Sequence, residues 1–232
     1  MQDTTAVVTG ATRGIGEAVA HEFAAQGAHV VVCSREADAV EALVEDIENE
    51  GGAATGMRAD VRDEFDMERL LETASRAGEN GGVDTVVANA GVFHGTPGES
   101  PTPADSYTAF DEHVRTNARG VFATIKEALP HLNEGARIVV PTGSVARETK
   151  PGIGSYAVSK AAAEAVVRGF AADTEYTVGL VDPGKVATDL SGPGGRDPAE
   201  IAPLFAWAAS DCPAADLDGQ VVGLREWKSA TR

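Results

Sequence analysis

The sequence predicts an α/β fold: a single doubly wound parallel sheet of about seven strands with helices on both faces. Three observations predict it. Apolar, β-prone runs alternate with helix-periodic segments along the whole chain, the pattern of a sheet built by strand–helix–strand crossovers. The strand-like runs, such as Val30-Val31-Val32, are continuously apolar, as in strands covered on both faces. The first run leads into a glycine-rich turn that opens a helix.

Taken in order, strands are expected at residues 5–9, 29–33, 53–58, 85–88, 137–140 and 177–181, with a short last one at Val221-Val222. The run at 53–58 is the weakest by composition and fills the gap between the second and fourth strands. Helices are expected at 15–26, 37–50, 64–77, 104–115, 121–132, 157–172 and 198–210. In the first of these, Ile15, Val19 and Phe23 recur at i, i+4 and i+8, one apolar stripe. Pro141 cannot donate a ladder hydrogen bond, so regular pairing is expected to stop there. Residues 94–103 and 191–198 are dense in Gly, Pro and Ser; each reads equally as a surface loop or as the border of a site outside the strand ends.

At 232 residues the chain suits one domain over 1–232, long enough to bury a substantial core. The 43% hydrophobic and 24% charged content is that of a water-soluble globular protein. The formal net charge of −17 speaks against nucleic acid or an anionic membrane as partner. Of the 19 basic residues only 5 are Lys, an acidic, Lys-poor, Ala-rich balance that resembles halophilic proteins. Cys33 and Cys212 are too few and too far apart for a disulfide framework. With no basic-then-apolar leader and no run of membrane-spanning length, a cytoplasmic location is expected. The five histidines show no metal-ligand spacing, so no metal site is expected. His94, just past an Asn-Ala-Gly turn, reads as a loop residue or as a lining of the site entrance.

Thr9-Gly10-Ala11-Thr12-Arg13-Gly14-Ile15-Gly16 stands at the first strand–helix junction. Glycines there permit a tight turn and close backbone approach to a phosphate, and the helix N-terminus adds free N–H groups. Further on, Tyr156 and Lys160 stand four apart at the start of a helix, so both project from one face. A free tyrosine has a pKa of about 10, too high for an efficient base near neutrality. An ammonium ~4–5 Å away, at an effective dielectric of ~20, favours the phenolate by roughly 3–4 kcal/mol before solvent screening. The sequence therefore predicts a tyrosine whose pKa its lysine lowers. Ser144 follows the fifth strand, at the sheet edge where ligands bind, and its hydroxyl can donate to an oxygen that gains charge. From the residues alone, Asn117 serves equally as a helix cap.

The Gly-x-x-x-Gly-x-Gly spacing of Gly10, Gly14 and Gly16, the Asn89-Ala90-Gly91 triplet and the Tyr156-x-x-x-Lys160 pair resemble the short-chain dehydrogenase/reductase family, over nearly the whole chain. The resemblance implies a Rossmann-type fold and an enzyme that interconverts a carbonyl and a secondary alcohol by hydride transfer to or from nicotinamide. It implies Asn117, Ser144, Tyr156 and Lys160 as the catalytic set, with Asn117 shaping a helix bend and holding a relay water. It also implies that Asp60-Val61 flanks the adenine, that Asn89-Ala90-Gly91 lines the cofactor, and that Pro183, Gly184, Val186 and Thr188 approach the nicotinamide amide. A homo-oligomer, dimer or tetramer, built on the helices near 104–132 and 157–172 is implied as well. The loop 147–155 is one residue shorter than is common in the family, and 189–198 forms only a short substrate-side loop.

For the choice of cofactor, NAD-preferring folds commonly carry an acid at the end of the second strand. Ser34 stands at that position, followed by Arg35, and Arg13 sits in the glycine turn. Two guanidinium groups can pair with a 2′-phosphate, so NADP(H) is favoured over NAD(H). A non-catalytic NADP(H)-binding redox sensor is the alternative; it would need the glycine turn but no tuned phenol.

Overall fold

The computed structural model describes residues 1–78 and 80–231. Seven strands form one parallel sheet: β1 (Thr5–Thr9), β2 (His29–Ser34), β3 (Ala53–Arg58), β4 (Val83–Val87), β5 (Leu132–Pro141), β6 (Thr177–Asp182) and β7 (Val221–Gly223). Their spatial order is β3-β2-β1-β4-β5-β6-β7, so the winding reverses between β1 and β4. At such a reversal the crossovers diverge and leave a crevice outside the carboxyl ends of the strands.

The side-chain alternation of each strand divides the core in two. Ala6 and Val8 of β1 face α1 (Gly14–Ala25), α2 (Ala37–Asn49) and α7 (Pro198–Ser210), packing on Phe23, Leu43 and Phe205. Val7 faces the opposite layer of α3 (Glu64–Ala77), α5 (Gly120–Ala128) and α6 (Ser155–Asp173), with Leu70, Ile125 and Val167. Burying both faces is why the strands read as unbroken Val/Ala runs. Of the expected stripe on α1, Val19 and Phe23 are buried and Ile15 packs at its edge.

Several expected boundaries move. The helix expected from 104 starts at Tyr107, where the Ser106 hydroxyl accepts the Ala109 N–H at 3.1 Å; α4 spans Tyr107–Val114. The expected break between two helices is absent. A π-helical turn, Arg115–Arg119, joins α4 to α5. The helix expected to reach 132 ends at Ala128 in the short 3₁₀ turn Leu129–His131, which contains Pro130. β5 then starts at Leu132, paired with Val83, five residues earlier than its apolar run implies. Pro141 ends β5 as expected, although the Thr142 N–H still donates to the Val181 carbonyl at 2.8 Å. The sequence gives no sign of the helices α8 (Ala214–Leu217) and α9 (Leu224–Ala230). Among the described residues, no helix is long and apolar enough to cross a membrane. Nor do three His, Cys, Asp or Glu side chains converge as a metal site would need.

Candidate active site

A cleft of about 1070 Å³ opens outside the carboxyl ends of the strands at the β1–β4 reversal. One wall is the glycine turn. Gly10 and Gly14 hold φ of +62° and +59°, a region side chains rarely adopt. A Cβ on Gly10 would lie 2.8 Å from the Cα of Ala90, so the turn and the Asn89-Ala90-Gly91 strand end touch through bare backbone. Asn89 fixes that contact, its Nδ2 donating to the carbonyls of Thr9 and Gly10 at 3.0 Å each. Gly16 is the exception among the expected lining residues. It lies buried beneath the turn, where a Cβ would meet the Gly10 carbonyl oxygen at 2.3 Å, and its role is close packing. Thr12, Arg13, Gly14 and Ile15 line the cleft at the α1 N-terminus, which carries no side-chain cap.

At the far end of the turn, Ser34 and Arg35 line the cleft. Ser34 Oγ accepts the N–H of Glu36 at 3.2 Å. Among the described residues Arg35 has no ion-pair partner, and Arg13 has only a loose, exposed one, Asp189 at 3.8 Å. Asp60 and Val61 border the same end, but Asp60 is tied down. Arg62 donates to both of its oxygens at 2.7–3.0 Å and reaches Glu112 at 2.7 Å; burial raises the Asp60 carboxyl, but the hydrogen bonds and charge of Arg62, helped by the charge of Arg35, hold it below its ordinary range.

The expected catalytic residues reach the cleft from three elements. Asn117 sits in the π-helical turn and is no helix cap. Its Oδ1 accepts the Val92 N–H at 2.8 Å, and its Nδ2 donates to the Val92 carbonyl and to Ser159 Oγ, each at 2.9 Å. The extra residue of a π-turn swings this side chain inward. Ser144 follows β5 in a short 3₁₀ turn, Ser144–Ala146, and its Oγ accepts a hydrogen bond from Lys150 Nζ. Tyr156 and Lys160 stand one turn apart on α6. The Tyr156 ring packs 5.0 Å from Phe93 and edge-on, at 6.0 Å, to the buried His113. His113 Nε2 accepts the His94 N–H at 2.8 Å; its neutral ring therefore carries the proton on Nδ1, which donates to Ser155 Oγ at 2.8 Å.

The electrostatics differ from the expectation in one respect. Lys160 Nζ donates to the Pro141 carbonyl at 2.7 Å, and burial governs the phenol. Tyr156 is pushed up to about 12, not down. Burial also lowers Lys160 to about 8, with Glu164 and Asp182 partly opposing. Those two acids belong to a cluster behind Lys160. Arg147 bridges Glu164 at 3.1 Å and Asp182 at 2.7 Å, and Thr142 Oγ1 donates to the buried Glu164 at 2.7 Å.

Pro183, Gly184, Val186 and Thr188 line the remaining wall. The 189–198 segment folds back over it, with Thr188 bridged to Gly192 and Val186 to Arg196. The other turn-rich stretch contributes Thr96 and Pro97, so both border the cleft; His94 lines a smaller neighbouring pocket instead. Sequence reasoning missed Thr116, Lys150 and Lys185, which also line the cleft. Among the described residues Thr116 Oγ1 is buried without a hydrogen-bond partner, a polar atom a ligand or water can satisfy. Only the position of Thr116 next to Asn117 could have pointed to it, and nothing in the sequence marks the two lysines.

A glycine cradle at an uncapped helix N-terminus suits a pyrophosphate, and the tyrosine–lysine pair of α6 lines the same cleft. Fold and site together define a dinucleotide-dependent oxidoreductase. Residues 4–198 match the family model described as short chain dehydrogenase, and the chain belongs to that family. It is 39% identical over 191 residues to the short chain dehydrogenase/reductase AacuN of Aspergillus aculeatus, covering 80% of this chain and 70% of that one. A dehydrogenase/reductase from Sinorhizobium meliloti superposes with a TM-score of 0.85 at 33% identity, covering 96% and 94% of the two chains. A short chain dehydrogenase from Burkholderia cenocepacia, solved in complex with NADP, superposes with a TM-score of 0.84 at 29% identity over 96% of each chain.

Proposed function

We propose that this enzyme is an NADP(H)-dependent carbonyl reductase in which Tyr156 transfers the proton. The observation that carries the reading is the joint placement of Ser144, Tyr156 and Lys160 in a cleft whose far end holds two arginines with little or no ion pairing. The residues fit a dinucleotide. Gly10 and Gly14 line the cleft with bare backbone that a pyrophosphate can approach, Arg13 and Arg35 suit a 2′-phosphate, and among the described residues the Thr116 hydroxyl lacks a polar neighbour. Bound NADPH supplies the hydride that reaches the carbonyl carbon.

The chain's own groups do the rest. Tyr156, at about 12, keeps its proton at neutral pH and surrenders it as alkoxide charge grows on the substrate oxygen. Ser144 donates a second hydrogen bond to that oxygen. Lys160 uses one N–H on Pro141 and keeps two more for a ribose hydroxyl. Asn117 pins Val92 and Ser159, fixing the strand end beside Tyr156 and the helix that carries it. A phenol that stays protonated at neutral pH is in the form that carbonyl reduction uses, whereas alcohol oxidation needs its phenolate.

The exposed Tyr107, Phe110, Phe122 and Val158, on α4, α5 and α6, support a homo-oligomer built on that face. The two free, buried cysteines fit a reducing compartment, which in this reading is the cytoplasm. A panel of ketones and aldehydes offered with NADPH and NADH side by side, at low and high salt, tests the proposal. NADPH-dependent reduction of part of the panel is expected. No oxidation of either cofactor under any condition refutes it and leaves a dinucleotide sensor.

A further inference from the structure

Acids outnumber bases 36 to 19 over the chain, yet six cationic and four acidic side chains line the cleft. Four of the cations have partners or places already given: Arg13 and Arg35 at the adenosine end, Arg62 on Asp60, and Lys160 on Pro141. Two remain, Lys150 and Lys185, and with Lys160 they are three of the five lysines in the whole chain.

Lys150 reaches the reacting centre itself, because its Nζ donates to Ser144 Oγ. The loop that carries it is pinned. The Gly152 carbonyl accepts the N–H groups of Gly98 and Ser100 at 2.9 and 3.1 Å, and Gly152 has φ of +73°. A Cβ there would lie 2.1 Å from the Gly98 carbonyl oxygen. An ammonium has three N–H donors. Ser144 takes one and Glu148, at 3.3 Å in solvent, takes a second; among the described residues the third has no partner. Ser144 keeps its own O–H for a substrate oxygen, and polarisation by the ammonium strengthens that donor. Lys185 adds a further cation, its Nζ lying 2.9 Å from where a Cβ on Gly194 of the short substrate-side loop would stand.

We propose that Lys150 is a specificity-determining residue that selects a carbonyl substrate bearing a carboxylate one or two carbons from the reacting carbon. The proposal rests on the reading of Ser144 and Tyr156 as the oxygen-binding pair. An oxygen held by Ser144 lies at most two hydrogen-bond lengths, about 5–6 Å, from the Lys150 ammonium, which has a donor to spare. A neutral ketone leaves that donor unused, whereas a 2- or 3-oxo acid places a carboxylate within its reach.

The test compares acetoacetate with methyl acetoacetate, alike in shape but differing in charge. Each is titrated by ligand-observed NMR into the enzyme saturated with NADP+, where no reduction occurs. The wild type is expected to bind the acid about tenfold or more tightly than the ester, the range of one charge-assisted hydrogen bond. That preference should vanish in Lys150→Met, persist in Lys150→Arg, and shrink between about 0.05 and about 0.5 M salt. Equal binding of the two by the wild type, undetectable binding of the acid, or an undiminished preference in Lys150→Met overturns the proposal. Reduction of both compounds with NADPH is followed in parallel. If neither turns over, the hydride-transfer reading loses support, while the binding ratio still decides the subsite.

Discussion

Replacing Arg35 by Ser removes one of the two guanidinium groups that the proposed function assigns to a 2′-phosphate. Among the described residues Arg35 makes no ion pair, so it has no existing bond to surrender when an anion arrives. Its neighbour Arg13 gives up only an exposed contact with Asp189 at 3.8 Å, of the sort worth about 0–1 kcal/mol. A charge-assisted hydrogen bond contributes about 1.5–3 kcal/mol, and each 1.4 kcal/mol is about a factor of ten. Arg35→Ser should therefore lower kcat/KM for NADPH by about 10- to about 150-fold. NADH has no phosphate at that position, and its kcat/KM should stay within about threefold of wild type by the same reckoning. The assay is initial-rate kinetics with both cofactors and one saturating carbonyl, repeated at rising salt, which screens exposed charges. Equal losses with NADPH and NADH, or no loss with NADPH, would refute the assignment of the arginines to the phosphate.

Three further outcomes follow from the geometry. Gly16→Ala drives a Cβ to 2.3 Å from the Gly10 oxygen and 2.5 Å from Asn89 Nδ2, so calorimetry should show NADPH affinity lost while the far-UV spectrum is kept; retained affinity contradicts the packing argument. Lys160, lowered to about 8, loses its charge as pH rises through that value, so the reduction rate should fall above about pH 8, well below the Tyr156 range; a rate flat to about pH 10 counts against a role for the ammonium. His113 is lowered below 6.5 by burial, with His94 adding to the effect and Asp105 opposing it. The unfolded chain therefore takes up the proton first, and stability is lost as pH falls below about 6.5 towards the folded value. The drop in Tm between about pH 7 and about pH 5 should be larger for wild type than for His113→Gln, and equal drops would exclude this linkage.

Much of this molecule was legible because its physics is local. β1 matches the expected 5–9 because an apolar run marks it, β3 matches 53–58 although only the gap between its neighbours pointed to it, and α3 matches 64–77, where the Asp63 side chain caps the helix. The glycine turn was legible because a tight turn before a helix admits few other residues. The start of β5 was not, because Leu132–Gly135 is held by partners far away in sequence. Asn133 Nδ2 reaches the Gly81 carbonyl and Asp84 Oδ1 at 3.0 and 2.9 Å. The π-turn at Asn117 left no composition signal, and the pattern read it as a gap between two helices. The Tyr156 pKa was misjudged for the same reason. Spacing reveals the lysine one turn away, but burial of the phenol is a property of the assembled layers. Lys150 and Lys185 come to the cleft on loops whose paths are set by contacts such as Gly98 with Gly152.

In the proposed mechanism the Tyr156 hydroxyl delivers the proton, and the site binds its cofactor independently of that hydroxyl. Turnover and NADPH affinity measured together on Tyr156→Phe test this most directly. Loss of carbonyl reduction by about a hundredfold or more, with NADPH bound as tightly as in wild type, is the predicted result, in line with the usual weight of a general acid. Turnover within a fewfold of wild type would contradict it.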